Sequence, residues 1–336
     1  MNEVPANQSF RDGVQFAWDS TSIKIAEDCL YKYKLKMIDG WQPASKSVHL
    51  LFGGWYASAL ERYYKLKATG LDTNDALCEV VRQALVETWF YNPECEKCKG
   101  EGYDLDHPDG VPFSQSQAAV FPCDCGKPWA SDHTAKTREN LIRSIIWYVD
   151  QFEDDPVEIF IKPDGSPAVE YSFSFEVDDG IMFSGHIDRL VQYGGGYYVM
   201  DQKTSGSTIT PQFFDQFDPD SQMSLYTMAG KIIYRQPVKG VIIDAAQIAV
   251  GFTRFMRGFT FRDEPKINEW YKSAMYHIQA ARKATEADYF PMNPSSCNKY
   301  AGCEFRRICN QSPHVRDNFL KGDFVKAERW DPLKRR

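Results

Sequence analysis

Two runs of alternating apolar and polar residues, 181–192 (IMFSGHIDRLVQ) and 197–204 (YYVMDQKT), flank the run Gly194-Gly195-Gly196. Strand side chains alternate between faces, so each run reads as a half-buried strand. Glycine supplies the positive φ that a two-residue hairpin turn needs, so the two strands are predicted to pair antiparallel. With Gly194-Gly195 as the turn, Tyr193 faces Gly196. Counting outward from that pair sets Asp188 opposite Asp201. A three-residue glycine turn would instead set Asp188 opposite Gln202.

The rest of the chain is built around this hairpin. Helical spacing predicts helices over 21–38 (capped by Thr21 or Ser22), 47–68, 73–91 and 134–154. Period-two patterning returns at 168–176, with further strands at 239–248 and 252–262. Helices are predicted at 219–234 and 265–285. Residues 93–131 follow neither period and are rich in Cys, Gly, Pro and Asp, the mark of an insertion. This order predicts an α/β fold: a mixed central sheet flanked by helices, a helical N-terminal part and one Cys-rich insertion.

The hairpin carries the most specific chemistry. Asp201 and Lys203 are two apart on one strand and share a face. Asp188 directly opposite would place two carboxylates within cross-strand reach, where like charges repel. Packing them on an apolar sheet is costly unless a cation lies between them. Mg²⁺ or Mn²⁺ suits such oxygen donors, completed by water and a substrate phosphate. A lysine beside them could orient or deprotonate a water, or stabilise charge on the phosphate. The bland alternative is a solvated hairpin, since Asp-x-Lys on a strand is common.

The nine cysteines need a separate explanation. No run of about 18 apolar residues exists and the first residues carry no apolar leader segment, so a reducing cytoplasm is expected. Clustered cysteines there read first as metal ligands. Cys95, Cys98, Cys123 and Cys125, with a CxxC beside glycine turns, predict a structural zinc site that closes a small insertion. His107 or His133 could replace one of these ligands. Cys297, Cys303 and Cys309 offer three more thiolates, and Cys29 is the obvious fourth for a four-iron cluster; zinc, or three unrelated cysteines, is the alternative. Cys78, on a helical face, reads as a packing residue.

Net charge is −7, which argues mildly against a nucleic-acid partner. From residue 299 onward, however, ten Lys or Arg stand against five Asp or Glu, so the tail is locally basic. The strand 252–262 interleaves basic and aromatic residues, a pattern that could stack on bases but more often marks an ordinary strand. No Walker A sequence occurs, so the chain carries no ATP motor; a helicase partner stays open.

Taken together, GxxD at 185–188 and the apolar strand ending in DxKT at 201–204 resemble the RecB-like PD-(D/E)XK nucleases. Gln222 and Tyr226 resemble that family's QxxxY motif, and Phe52-Gly53 through Leu60-Glu61 its N-terminal motif helix. Cys29, followed by Tyr33, resembles its N-terminal cysteine helix. The C-terminal triple cysteine is similar to that of iron–sulfur members, including phage and CRISPR-associated exonucleases.

The resemblance implies a restriction-endonuclease-like core over a single domain, 1–336. The cysteine spacing adds a zinc-binding insertion at 93–131, and the likeness to iron–sulfur members an iron–sulfur closure with a basic tail at 290–336. The resemblance implies Asp188, Asp201 and the Gln202 carbonyl as metal ligands, Lys203 as the catalytic lysine, and Gln222 and Tyr226 as supporting contacts. The family's helix histidine falls on Ala57, and Glu61, one turn later, could replace it or be a solvated helix charge. The implied activity is Mg²⁺- or Mn²⁺-dependent DNA hydrolysis, as an exonuclease in replication, recombination or repair, in a host cytoplasm if phage-encoded. The alternative is a non-catalytic DNA-binding or assembly subunit of the same fold.

Overall fold

The computed structural model describes residues 9–11, 13–45, 47–100, 123–299 and 302–333. Much of the Cys-rich insertion, including His107, and the basic residues 334–336 lie outside the described residues.

A mixed sheet of seven strands among the described residues forms the centre. Its long member is β3 (Ile181–Tyr193), which follows β1 (Ala17–Trp18) and β2 (Val169–Asp178). β2 runs antiparallel along β3, and Glu158–Ile159 continues that edge. β1 pairs parallel with β3 at Met182 and Phe183. β3 turns into β4 (Gly196–Ser205) through Gly194 and Gly195, whose φ values of 53° and 70° are the paired positive values a type I′ turn requires. The two-residue turn therefore holds: Tyr193 pairs with Gly196, and the ladder runs to Arg189 opposite Met200.

Beyond β4 the chain crosses over through a helix (Ser221–Tyr234, below called α5) to the parallel strand β5 (Val238–Ile248), which pairs with the antiparallel edge strand β6 (Thr253–Phe261). The helices sort to the two faces of this sheet. α1 (Ser20–Asp28), α5 and α6 (Glu264–Glu286) cover one face, through a core that includes Ile23, Ile187, Val199, Met223 and Ile278. The other face carries α2 (Val48–Ala68), α3 (Thr73–Glu87) and α4 (Arg138–Gln151), packed through Phe52, Tyr56, Val80, Ile145 and Ile248. The fold class expected from the sequence is the one observed.

Two local expectations need correction. α1 is capped by Asp19, not by Thr21 or Ser22. The Asp19 carboxylate accepts the Ser22 N–H at 2.8 Å, and the Ser22 hydroxyl in turn accepts the Asp19 N–H at 3.0 Å. Such a reciprocal cap contributes about 1 kcal/mol. The single helix expected over 21–38 is broken at Cys29, where φ is −168° and ψ 118°. A helical turn at Leu30–Tyr33 and a wider π turn at Lys34–Ile38 follow the break. The extended residue turns the thiol toward the C-terminal segment, and the Asn293 N–H donates to Cys29 Sγ at 3.4 Å.

Candidate active site and metal sites

β4 brings the acidic hairpin to its end under two helices. Asp201 and Lys203 face α5; Gln202 and Thr204 face α2, with Thr204 Oγ1 at ordinary contact distance, 3.4 Å, from where a Cβ on Gly53 would lie. Asp188 lies just beyond the last ladder pair, and its Oδ2 accepts the Gln202 N–H at 2.9 Å. The hairpin thus brings Asp188 beside the Asp201–Lys203 segment.

Asp201 is almost fully buried, and Lys203 Nζ pairs with its Oδ2. Burial, opposed by the Lys203 ammonium and seconded by the Asp188 charge, pushes the Asp201 carboxyl up to about 6. Burial also disfavours charge on Lys203, but Asp201 and Asp188 outweigh it and raise the pKa of the amine. Lys203 is therefore an ammonium at neutral pH and not a free base.

α5 fixes that ammonium. Asp220 caps the helix, accepting from the N–H groups of Gln222 and Met223 at 2.8 and 3.2 Å. Gln222 Oε1 then accepts from Lys203 Nζ at 3.0 Å, while its Nε2 donates to the Tyr226 hydroxyl at 3.0 Å. The i, i+4 spacing of Gln222 and Tyr226 places both on the helix face that looks at β4.

A cavity of about 320 Å³ opens beside Asp188, lined by Gly54, Ala57, Ser58, Leu60, Glu61, Glu170, Asp188, Arg189 and Gln202. Ala57 presents only a methyl group to it. Glu61 reaches it while paired with Lys65. Of the lining residues, Asp188, Glu61 and Glu170 offer carboxylate oxygens, donors of the kind a hard divalent cation takes, while Asp201 is not among the lining residues.

Sequence reasoning missed the buried network behind this wall. Asp244 on β5, paired in register with Gln202, accepts from Gln202 Nε2 at 2.8 Å, Arg189 Nη2 at 3.1 Å, Arg257 Nε at 3.3 Å and the Tyr148 hydroxyl. Arg257 also grips Asp155 through two bonds of 2.6 and 2.7 Å. Arg189 stacks over Tyr64, 4.3 Å from the ring centre. The available signal was an aspartate inside the apolar strand VIIDAAQI.

The insertion cysteines converge. Cys95, Cys98, Cys123 and Cys125 place their sulfurs within 4.8 Å of one another. Cys95 Sγ lies 3.6 Å from Cys123 Sγ, and Cys98 Sγ lies 3.5 Å from Cys125 Sγ. A tetrahedral ion with metal–sulfur bonds of about 2.3 Å separates its sulfurs by about 3.8 Å, so the group fits one zinc ion. The N–H groups of Cys98 and Lys97 point at Cys95 and lower its thiol to about 7. His133 stands elsewhere: its Nδ1 accepts the N–H groups of Ala135 and Lys136, each at 3.1 Å.

The second cysteine group also gathers from distant sequence. Cys29, Cys297, Cys303 and Cys309 line one cavity of about 220 Å³, with Met292 and Phe305 as its apolar walls. Burial, then the neighbouring Cys303, Cys29 and Cys297, push the Cys309 thiol up to about 11. The sulfurs are not packed as tightly as the zinc-type group. Four soft donors around a larger space suit a multi-atom iron–sulfur cluster better than one ion. Cys78 is exposed on α3, so the packing role expected for it is not observed.

The family model of the PD-(D/E)XK nuclease superfamily matches residues 20–310 of this sequence. The chain belongs to that superfamily. Its matched span holds Asp188, Asp201, Lys203, Gln222 and Tyr226, together with both cysteine groups. A curated relative, "Gene 69 protein" of Mycobacterium phage D29, is 36% identical over 77 residues, 23% of this chain and 25% of that protein. The chain thus matches about a quarter of the length of that relative. Among solved structures, one described as "Putative exonuclease" from Eubacterium rectale overlays at TM-score 0.47 and 12% identity, covering 90% of this chain and 92% of that one. Protein VC1899 from Vibrio cholerae overlays at TM-score 0.20 and 10% identity, covering 77% and 61%. At these scores the overlays add nothing to the family match.

Proposed function

We propose that the chain is a divalent-metal-dependent deoxyribonuclease, an exonuclease acting at DNA ends in replication, recombination or repair. The observation that carries the reading is the arrangement of Asp188, Asp201 and Lys203, with Lys203 Nζ held by Gln222, at one end of a central strand in a PD-(D/E)XK chain. Asp188, Asp201, the Gln202 carbonyl and Glu61 would hold Mg²⁺ or Mn²⁺. Such an ion polarises a phosphoryl oxygen and supplies a nucleophilic water at neutral pH.

The chain's own groups do the positioning. Lys203, kept protonated by its two carboxylates, presents positive charge where the phosphate gains negative charge. Gln222 and Tyr226 keep Nζ from swinging away. The Asp244 network fixes Gln202 from the opposite face of the sheet, so its carbonyl is held in place. The preference for ends draws on the similarity of these motifs to those of exonucleases.

The two cysteine groups are assigned structural roles in this reading. Cys95, Cys98, Cys123 and Cys125 would bind zinc with no open position, and so no chemistry. Cys29 with Cys297, Cys303 and Cys309 would hold a four-iron cluster that clips the N-terminal helix to the C-terminal segment. A link that closes so long a loop removes much chain entropy.

Anaerobically purified protein with Mg²⁺ or Mn²⁺ should degrade end-labelled linear DNA and spare a covalently closed circle. Cleavage of the circle would make it an endonuclease. Intact DNA in every lane would favour a binding subunit that retains the fold.

A further inference from the structure

We infer that Glu170 is an additional carboxylate ligand of the divalent-metal site, in the position where α2 offers only the methyl of Ala57. The inference rests on the metal-site reading above.

The sequence hides this residue. In AVEYSFSFE, Glu170 alternates with Val169 and Tyr171 as a solvent-facing strand residue would. The structure places it otherwise. β2 and β3 pair Val169 with Arg189 and Tyr171 with Ile187, so the rung between them belongs to Glu170 and Asp188. That rung is the one interior to these pairs that the ladder omits. Two carboxylates directly opposite would repel.

Both strands become irregular at this point. Glu170 has φ +45°, a left-handed conformation inside a strand. On β3 the core-facing pattern changes phase across Asp188, since Ile187 and Leu190 both enter the same core. A glutamate held at positive φ is strained and persists where its surroundings require it.

The result is that Glu170 and Asp188 line the same 320 Å³ cavity, together with Gln202 and Glu61. The acid groups stand around this space and are not packed against one another: among the described residues, only the four insertion cysteines bring three or more donor atoms within 4.8 Å. Such spacing suits an ion that enters with its own water. Glu170 supplies an oxygen donor from the β2 side, Asp188 one from β3, and the Gln202 carbonyl one from β4. Glu61 faces the same space from α2, paired there with Lys65.

The test is Mn²⁺ binding by calorimetry and electron paramagnetic resonance on the full chain. It compares wild type, Glu170→Gln, Glu170→Gly and, as a control for the site itself, Asp188→Asn. Glu170→Gln should weaken Mn²⁺ by about tenfold or more and alter the resonance of the bound ion. Glu170→Gly should do the same while raising the melting temperature of the metal-free protein, because glycine adopts positive φ without strain. If Asp188→Asn abolishes binding while both Glu170 variants bind as wild type does, Glu170 is only a strand irregularity and the inference is wrong. If wild type binds no Mn²⁺, or Asp188→Asn leaves binding unchanged, the metal-site reading falls first and takes this inference with it.

Discussion

Lys136 offers a quantitative check on how α2 is packed. It sits in the segment before α4, 1% exposed, with its ammonium 4.4 Å from the centre of the Phe52 ring. No hydrogen-bond acceptor meets its Nζ among the described residues. Burial lowers its pKa from the ordinary 10.5 to about 8. At about 1.4 kcal/mol per tenfold change in proton affinity, holding the charge in the folded state costs roughly 3 kcal/mol. Lys136→Met keeps the length of the side chain and deletes the charge. It also forfeits the cation–π contact, about 0.5–2 kcal/mol. Near pH 7 the variant should therefore be the more stable by about 1–3 kcal/mol.

The sign with pH follows from proton counting. Between pH 8 and 10.5 the unfolded chain keeps the Lys136 proton and the folded chain releases it. Stability rises with pH wherever the unfolded state binds more protons, so wild type gains on the variant across that window. Thermal unfolding of both proteins near pH 7 and near pH 9.5, at equal zinc and iron content, measures this. A variant that is less stable near pH 7, or an advantage that does not shrink at the higher pH, would refute the argument.

Asp244→Ala should destabilise by about 3–5 kcal/mol, because it strands the buried Arg189 guanidinium; a loss below about 1 kcal/mol in thermal unfolding would mean that Tyr64 and Tyr148 alone satisfy it. Cys98→Ser should remove one zinc per chain by elemental analysis and open the insertion to protease, whereas an unchanged zinc content would exclude the Cys95–Cys125 group as its site. Cys303→Ala should abolish the visible absorbance of the cluster and leave zinc in place. Retained absorbance would remove the C-terminal cysteines from the ligand set.

The hairpin was legible in the sequence because Gly194 and Gly195 allow a turn that side chains disfavour, and that turn sets the register of everything on either side. The long helices and strands were legible for a similar reason: their apolar periods match the faces they bury. The cysteine groups followed from spacing. What escaped was decided by contacts distant in sequence. No local propensity breaks a helix at Cys29, whose thiol accepts the N–H of Asn293, 264 residues away. Glu170 fits a polar-outward alternation, and its positive φ and its place beside the cavity emerge only in the structure. Asp244 looked anomalous within an apolar strand, but its partners Arg189, Arg257 and Tyr148 come from three other elements.

The most direct test of the central claim compares cleavage of one end-labelled linear DNA by wild type, Asp188→Ala and Lys203→Ala, with Mn²⁺ present and both cysteine sites loaded. The account predicts that Lys203→Ala retains Mn²⁺ and DNA binding while its cleavage rate falls by about 10²–10³, and that Asp188→Ala loses Mn²⁺ and cleavage together. Wild-type rates in both variants would place the chemistry elsewhere in the chain and contradict the assignment.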